Sequence, residues 1–486
     1  MARYVAFFAK SLAVVSMILV ACSSSDSGSS SGTNPGTDGG LDGSSSGGDG
    51  GGGDADVPID AGPKPYGQIP EPAPINYTCS KDIHVATTGN DGTGDGTMGN
   101  PYKTIAKGAS VAAAGECVRV HQGTYAETAT ITFANDGAAG TPIVLISADG
   151  KGKAVIDGAG NTAGPAIEVS KKYVVIDGFE IKNTPQTVGL HVVRFDGQNA
   201  DGCEGSVLRN SKISGGFSQV KVYQKTKNVT VENNEFFGKS GNVPLSLTGA
   251  SGLVFRANYC HDWDSGQDGS VQLAGGSTGA TFEKNLFQDV ATLAGTLALG
   301  DNCGSTCDND PDHYAAVNAV ARNNVFIRAV RAIEMRGCKN CSALSNTIID
   351  SGLNDNYAFR LGSATTNSVS KATTGARILN NLVTSPGSLM GHVIDVGMGA
   401  EVGLQMDYNL YWNGPKGVAV GETRPAGMDT HTVTANPLLM GPTDFHPGAG
   451  SPAIGAGTNL VSEVPDDFLS VARPASGPFD IGAIQH

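Results

Sequence analysis

The strongest pattern along the chain is a recurring alternation, apolar-x-apolar-x-x-Asn-x-apolar or aromatic. It runs through VLRNSKI, VTVENNEF, LVFRANYC, ATFEKNLF, AVARNNVF, SALSNTII, ARILNNLV and LQMDYNLY. The shared asparagines are Asn210, Asn234, Asn258, Asn285, Asn324, Asn346, Asn381 and Asn409, spaced by 24, 24, 27, 39, 22, 35 and 28 residues. Alternation with a period of two predicts short strands that bury one face. A basic unit of about 22 to 24 residues with insertions predicts one coil of a parallel β-helix. A single coil cannot bury its apolar side, so coils must stack, each strand pairing above and below. Aligned asparagine amides can then hydrogen-bond in a ladder along the stack, and Asn also tolerates left-handed turn angles. These asparagines are therefore read as structural. A leucine-rich repeat would need L-x-x-L-x-L units and helical segments, and neither recurs.

A second strand lies upstream of each ladder asparagine: LHVVR, VKVYQ, PLSLT, VQLAG, LALGD, IEMRG and FRLGS. Alternation predicts Leu190, Val222, Leu247, Leu273, Leu299, Met335 and Leu361 inside. One outward column then reads His191, Lys221, Ser246, Gln272, Ala298, Glu334, Arg360, and the next holds Tyr223, Thr248, Ala274, Gly300 and Arg336. Before the regular coils, a short amphipathic helix over residues 104–113 is expected to cap the open end of the stack, an edge otherwise prone to pairing. The closing segment, residues 447–486 with SPAIGAGTN and DIGAIQH, is expected to fold back over the last coils as a cap.

The remaining ends change the picture of location. Arg3 and Lys10 accompany an apolar run over residues 12–20 that is too short for a permanent span and ends in Leu19-Val20-Ala21-Cys22. Residues 1–21 thus read as a signal peptide, with Cys22 as the lipidated first residue of an outer-membrane lipoprotein whose lipid is its only anchor. Residues 22–75 are Ser, Gly, Asp and Pro-rich, with almost nothing apolar to bury, and are expected to be a disordered tether. Seven tether aspartates account for half of the net charge of −14, and no basic stripe follows, which disfavours nucleic acid as a partner. Low charge, 16%, and 68 glycines suit a solenoid over residues 76–446. Setting Cys22 aside leaves eight of nine cysteines, an even number, in an oxidising compartment. Disulfides are expected, with zinc as the competing reading for Cys303, Cys307, Cys338 and Cys341.

The opening segment IHVATTGNDGTGDGTMGNPYKTIAKGASVAAAGECVRVHQGTYAE and the coils after it resemble the pectate-lyase-like superfamily, over roughly residues 80–415, and the tail resembles the closing segment of many secreted β-helix proteins. The resemblance implies an all-β, single-stranded right-handed parallel β-helix with a capping helix, and a polysaccharide laid on one sheet between loops. Lyases of uronic-acid polymers neutralise the substrate carboxylate and remove the adjacent proton. Lys221, His191 and Tyr223 are candidate bases, and Arg336 and Arg360 candidate carboxylate clamps; Gln272, Glu334 and His261 are candidate substrate contacts. Two acidic loops offer hard oxygen ligands for Ca²⁺, namely Asp262, Asp264 and Asp268 in one, and Asp301, Asp308, Asp310 and Asp312 in the other. The competing reading makes all of these solvated residues of an exposed sheet and loops. The similar lyase-like proteins carry a lysine before Gly275-Gly276-Ser277, where this chain has Ala274. The expected function is a monomeric envelope lipoprotein that binds an acidic polysaccharide, with cleavage by β-elimination as its implied activity. A non-catalytic glycan-binding or adhesin β-helix is the alternative. A glycoside hydrolase, with Glu334 and Asp395 as its two carboxylates, is a second.

Overall fold

The computed structural model describes residues 75–198, 202–263, 271–290, 295–304, 309–352, 357–388, 390–417, 426–441 and 444–486. The expected signal peptide, Cys22 and nearly all of the expected tether lie outside them. Three long parallel sheets of 12, 11 and 11 strands run the length of the stack, and the strands of successive coils follow one another in each sheet. The first sheet begins at Lys81–Val85 and ends at Gln405–Asp407; the third runs from Gly123–Ala126 to Leu410–Trp412. The second begins at Ile131–Thr132 and ends with Tyr357–Thr366, which pairs in parallel with His392–Val396 and antiparallel with Val369–Ala372. This is a right-handed parallel β-helix. Inward side chains of all three sheets merge into one apolar core.

Within that core the asparagine ladder is continuous. Asn234 Nδ2 donates to Asn258 Oδ1 at 3.1 Å, and the same contact repeats at 2.9–3.1 Å through Asn285, Asn324, Asn346 and Asn381 to Asn409. Each of these amides also donates to a backbone carbonyl, and its oxygen accepts a backbone N–H from the coil before. Every buried polar atom of a rung is thus partnered within the stack. Asn210 is a correction: it sits one place early. Ser211 occupies the rung, its N–H donating to Asn234 Oδ1 at 3.0 Å, while Asn210 has φ of 53° and donates to Asp177. The left-handed residue of the turn is the one preceding the rung: Asn233, Ala257, Lys284, Asn323, Ser345, Asn380 and Tyr408 all have φ between 52° and 59°.

The capping helix spans Ile105–Val111, with Thr104 Oγ1 accepting from Lys107 N at 3.2 Å. A Cβ on Gly108 would stand 2.7 Å from Val85 and 2.9 Å from Val118, so only glycine lets the helix lie this close to the first coil. The tail folds back onto the coils. It runs along the flank of the solenoid, with Phe445, Phe468 and Ile484 packed on Tyr259, Leu286, Val325 and Ile349, and Ile481 on Leu382 and Leu410. Lys284 binds Asp466 at 2.6 Å, Asn380 binds Thr458 at 2.7 Å, and Arg377 binds Glu463 at 2.9 Å. The strands beneath are therefore buried on both faces, which explains apolar runs such as Val325–Ile327.

Cys79–Cys117 and Cys338–Cys341 are disulfides, and Cys303 is also disulfide-bonded. The zinc reading of Cys338 and Cys341 is thereby excluded. Cys203 and Cys260 are free and buried in the core, so the even cysteine count did not mean complete pairing. Among the described residues no helix is long and apolar enough to cross a membrane.

Candidate functional site

The outward column of the second sheet is set by strand register. Glu168 pairs with Arg194, Arg194 with Lys221, Lys221 with Ser246, Ser246 with Gln272, Gln272 with Ala298, Ala298 with Glu334, Glu334 with Arg360 and Arg360 with Asp395. The predicted column is correct from Lys221 to Arg360 but not at its start. The strand is Val193–Phe195, so Arg194 stands beside Lys221, and Phe195 rather than Leu190 faces inward beside Val222. His191 precedes that strand. The irregular LHVVRF segment, with two extra apolar residues, hid the register.

Lys221 is the centre of one cluster. Its ammonium donates to Ser246 Oγ at 2.9 Å and Thr248 Oγ1 at 3.1 Å, and lies 5.0 Å from the centre of the Tyr223 ring. Burial lowers its pKa to about 8, because the charged form loses hydration without a carboxylate to replace it. The Arg194 guanidinium lies 5.8 Å from the same ring and is tied to Glu168. His191 is buried, its ring 6.4 Å from that of Tyr223. Desolvation first, then the charges of Lys221 and Arg194, lower its pKa to about 4, so it is neutral at physiological pH. Thr248 is the register partner of Ala274. The Lys221 amine thus sits over the coil adjacent to the one that carries Ala274.

Arg336 and Arg360 belong to a second cluster. Glu334 lies four coil steps from Lys221, roughly 19 Å at the spacing of paired strands. Glu334 is fully buried, held by Arg331 at 2.9 Å and Arg360 at 3.6 Å, with Arg360 also 3.4 Å from Asp395. Arg336 is bound to Asp301 at 2.9 Å. The five residues expected to act together are therefore split, with Lys221, His191 and Tyr223 at one end and both arginines at the other. Gln272 lies between them on the column, partly exposed. A hydrolase dyad is also disfavoured, because Glu334 is enclosed between two guanidinium groups rather than facing solvent.

His261 belongs to neither cluster. It lies on the third sheet, stacked 4.1 Å from Tyr259, with Nδ1 2.7 Å from Asp262 and Nε2 3.3 Å from Glu235. Burial opposes its protonation, yet hydrogen bonds to Glu235 and Asp262 outweigh it and raise the pKa. Asp262 is thus a histidine partner, and Asp301 an arginine partner. Asp310 accepts from the Tyr314 backbone and Asp312 binds Lys339. Asp264, Asp268 and Asp308 lie outside the described residues. Among the described residues, the one close group of three metal-ligand side chains is Cys79, Asp82 and Cys117, whose cysteines form a disulfide. Asp262, Asp301, Asp310 and Asp312, the candidate calcium ligands among the described residues, each have a protein partner.

Residues 83–240 match the family model described as Pel9A-like, right-handed beta helix region. The chain carries a right-handed parallel β-helix. The solved structure of pectate lyase Pel9A is similar at 16% identity, covering 84% of this chain and 97% of that one, with a TM-score of 0.54. The PL6 family polysaccharide lyase Pedsa3628 from Pseudopedobacter saltans is 13% identical over 82% of this chain and 99% of its own, at 0.45. The Azotobacter vinelandii mannuronan C-5 epimerase AlgE6 A-module is 12% identical over 66% and 91%, at 0.43. At these identities the likeness is one of fold. Comparison with curated protein sequences gives no match.

Proposed function

We propose that the Lys221 end of the second sheet binds an acidic polysaccharide and cleaves it by β-elimination, with Lys221 as the base. The observation that carries this reading is the Lys221 amine, desolvated on an outward sheet face, held by two hydroxyls and with a pKa of about 8. A lysine so placed is neutral often enough near pH 8 to take the proton next to a uronate carboxylate. Elimination then forms a carbon–carbon double bond and expels the glycosidic oxygen, which takes up a proton from solvent. The shared fold with a pectate lyase supports the substrate class, though fold alone does not fix an activity. The N-terminal sequence, with Cys22 after a short apolar run, supports reading this as a lipid-anchored, monomeric envelope protein.

The paired state of Arg336 and Arg360 favours a second reading, a β-helix that binds glycan without cutting it. Ultraviolet absorbance of the unsaturated uronate separates the two, measured with galacturonan, alginate and other uronic-acid polymers. A rise on one polymer that disappears in Lys221→Ala supports cleavage. Binding on a glycan array with no rise on any polymer supports the binder.

A further inference from the structure

We infer that Ser246 and Lys221 form a nucleophile–base pair that hydrolyses small carboxylic esters, such as an O-acetyl group on a polysaccharide hydroxyl. The inference shares Lys221 with the preceding reading and adds a second reaction on the same sheet face. It begins with what surrounds the amine. Lys182, Lys212, Lys284 and Lys339 each face a carboxylate, at 3.1, 4.0, 2.6 and 3.0 Å. Lys221 instead contacts two hydroxyls, Ser246 Oγ at 2.9 Å and Thr248 Oγ1 at 3.1 Å. A carboxylate holds a lysine in its charged form, whereas hydroxyls bind the amine without fixing its charge. The burial of Lys221 then favours the neutral form, which makes this amine a usable base near pH 8.

The strand sets the geometry of the pair. Leu245 and Leu247 are buried in the core, so Ser246 and Thr248 both project outward from the strand Leu245–Thr248. Register places Ser246 directly beside Lys221 of the preceding coil, and the serine stays partly exposed. A nucleophilic hydroxyl within hydrogen-bond reach of a base is the arrangement that acyl transfer requires. Ser246 is the nucleophile because its primary alcohol is less hindered than that of Thr248. Its Oγ attacks the acyl carbon while its proton passes to Lys221 Nζ. The ammonium returns that proton to the departing alkoxide as the ester C–O bond breaks. Water then attacks the acyl-serine, giving a proton to the same amine. The amine passes that proton to Ser246 Oγ as the carboxylic acid leaves. The Thr248 oxygen accepts from the lysine, so its own O–H remains to donate to the acyl oxygen as that atom gains charge. One hydroxyl is a modest donor, which suits an ester rather than an amide with its poorer leaving group.

The test uses the full chain in detergent, with p-nitrophenyl acetate and acetylated polygalacturonan as probes. Wild type should release nitrophenol from the first and acetate from the second. Ser246→Ala and Lys221→Met should each lower kcat/KM by about a thousandfold, and Thr248→Val by about a hundredfold. Mass spectrometry after an acid quench should find one acetyl group on the peptide that carries Ser246. In Ser246→Cys, which keeps a nucleophile at the same place, the position should still take up acetyl, so the result does not depend on how well the alanine variant folds. Acetyl found on Lys221 alone, turnover largely retained in Ser246→Ala, or no turnover of either probe overturns the pair. Unsaturated-uronate absorbance without ester turnover also overturns it, leaving Lys221 as an elimination base. Ester turnover without that absorbance supports the pair and overturns the lyase reading instead.

Discussion

The molecule holds two polar columns, each contributing one residue per coil, and they are built on opposite rules. Inside the turn between the first and third sheets, the column is asparagine from Asn234 to Asn409, each amide satisfied by its neighbours. On the outer face of the second sheet the column reads Glu168, Arg194, Lys221, Ser246, Gln272, Ala298, Glu334, Arg360 and Asp395, with no residue type repeated in adjacent coils. Identical neighbours close a hydrogen-bond chain and leave nothing over for a ligand. Varied neighbours form local clusters instead, such as the Lys221 amine on Ser246 and Thr248 beside the buried, unpartnered Arg194 Nε. In a stacked repeat, chemistry is therefore found where the repetition fails.

Breaking the varied column should have the largest effect. Lys221→Ala is expected to reduce cleavage by about 10²–10⁴-fold, the range for loss of a general base, with the melting curve nearly unchanged. A comparable loss of stability with activity retained would move Lys221 into the structural class. Breaking the uniform column should do the reverse. Asn324→Ala removes the acceptor of Asn285, the donor to Phe282 and a donor to Asn346. At about 1–3 kcal/mol per stranded group it should destabilise by about 3 kcal/mol or more, measured by urea unfolding.

The pH dependence sharpens the contrast further. With Lys221 neutral only above about 8, kcat/KM should rise about tenfold per unit below that value and level off above it. The same lowered pKa acts on stability. Between about 8 and the unfolded value of roughly 10.4, the unfolded chain holds a proton that the native state has lost, so stability rises with pH across that window. Lys221→Met should flatten both trends. The smallest effect tests the misplaced rung: Asn210→Ala should cost about 1 kcal/mol by forcing alanine into a left-handed φ of 53°, whereas Asn210→Gly should cost less.

The uniform column was legible because repetition is visible without coordinates. The repeat predicted the stacked coils of a parallel β-helix and seven of the eight rungs, and the opening segment predicted the capping helix. It erred at Asn210, where the following residue is Ser211 and the nearest asparagine was taken instead. The varied column was legible only in part. Its order from Lys221 to Arg360 follows from alternation, but alternation does not give reach between coils, so Arg336 and Arg360 were grouped with a lysine four or more coils away. Arg194 was missed because His191 and Leu190 fit the apolar-polar template equally well. His261 was misplaced because its loop follows a strand of the third sheet, and sequence order does not say which sheet a loop borders. The free Cys203 and Cys260 carry no sequence mark at all, since a buried thiol packs as an ordinary apolar side chain.

The flank-bound tail has a consequence for how the solenoid comes apart. A stack held only by nearest-neighbour contacts can fray from its open end, one coil at a time. Here a single strap clamps distant coils together: Asp466 on Lys284, Glu463 on Arg377, Thr458 on Asn380. Peeling the last coil away means first releasing a segment that is also fastened several coils deeper. The strap thus turns a zipper into something closer to a bolted spine, whose later half should open as a unit or not at all.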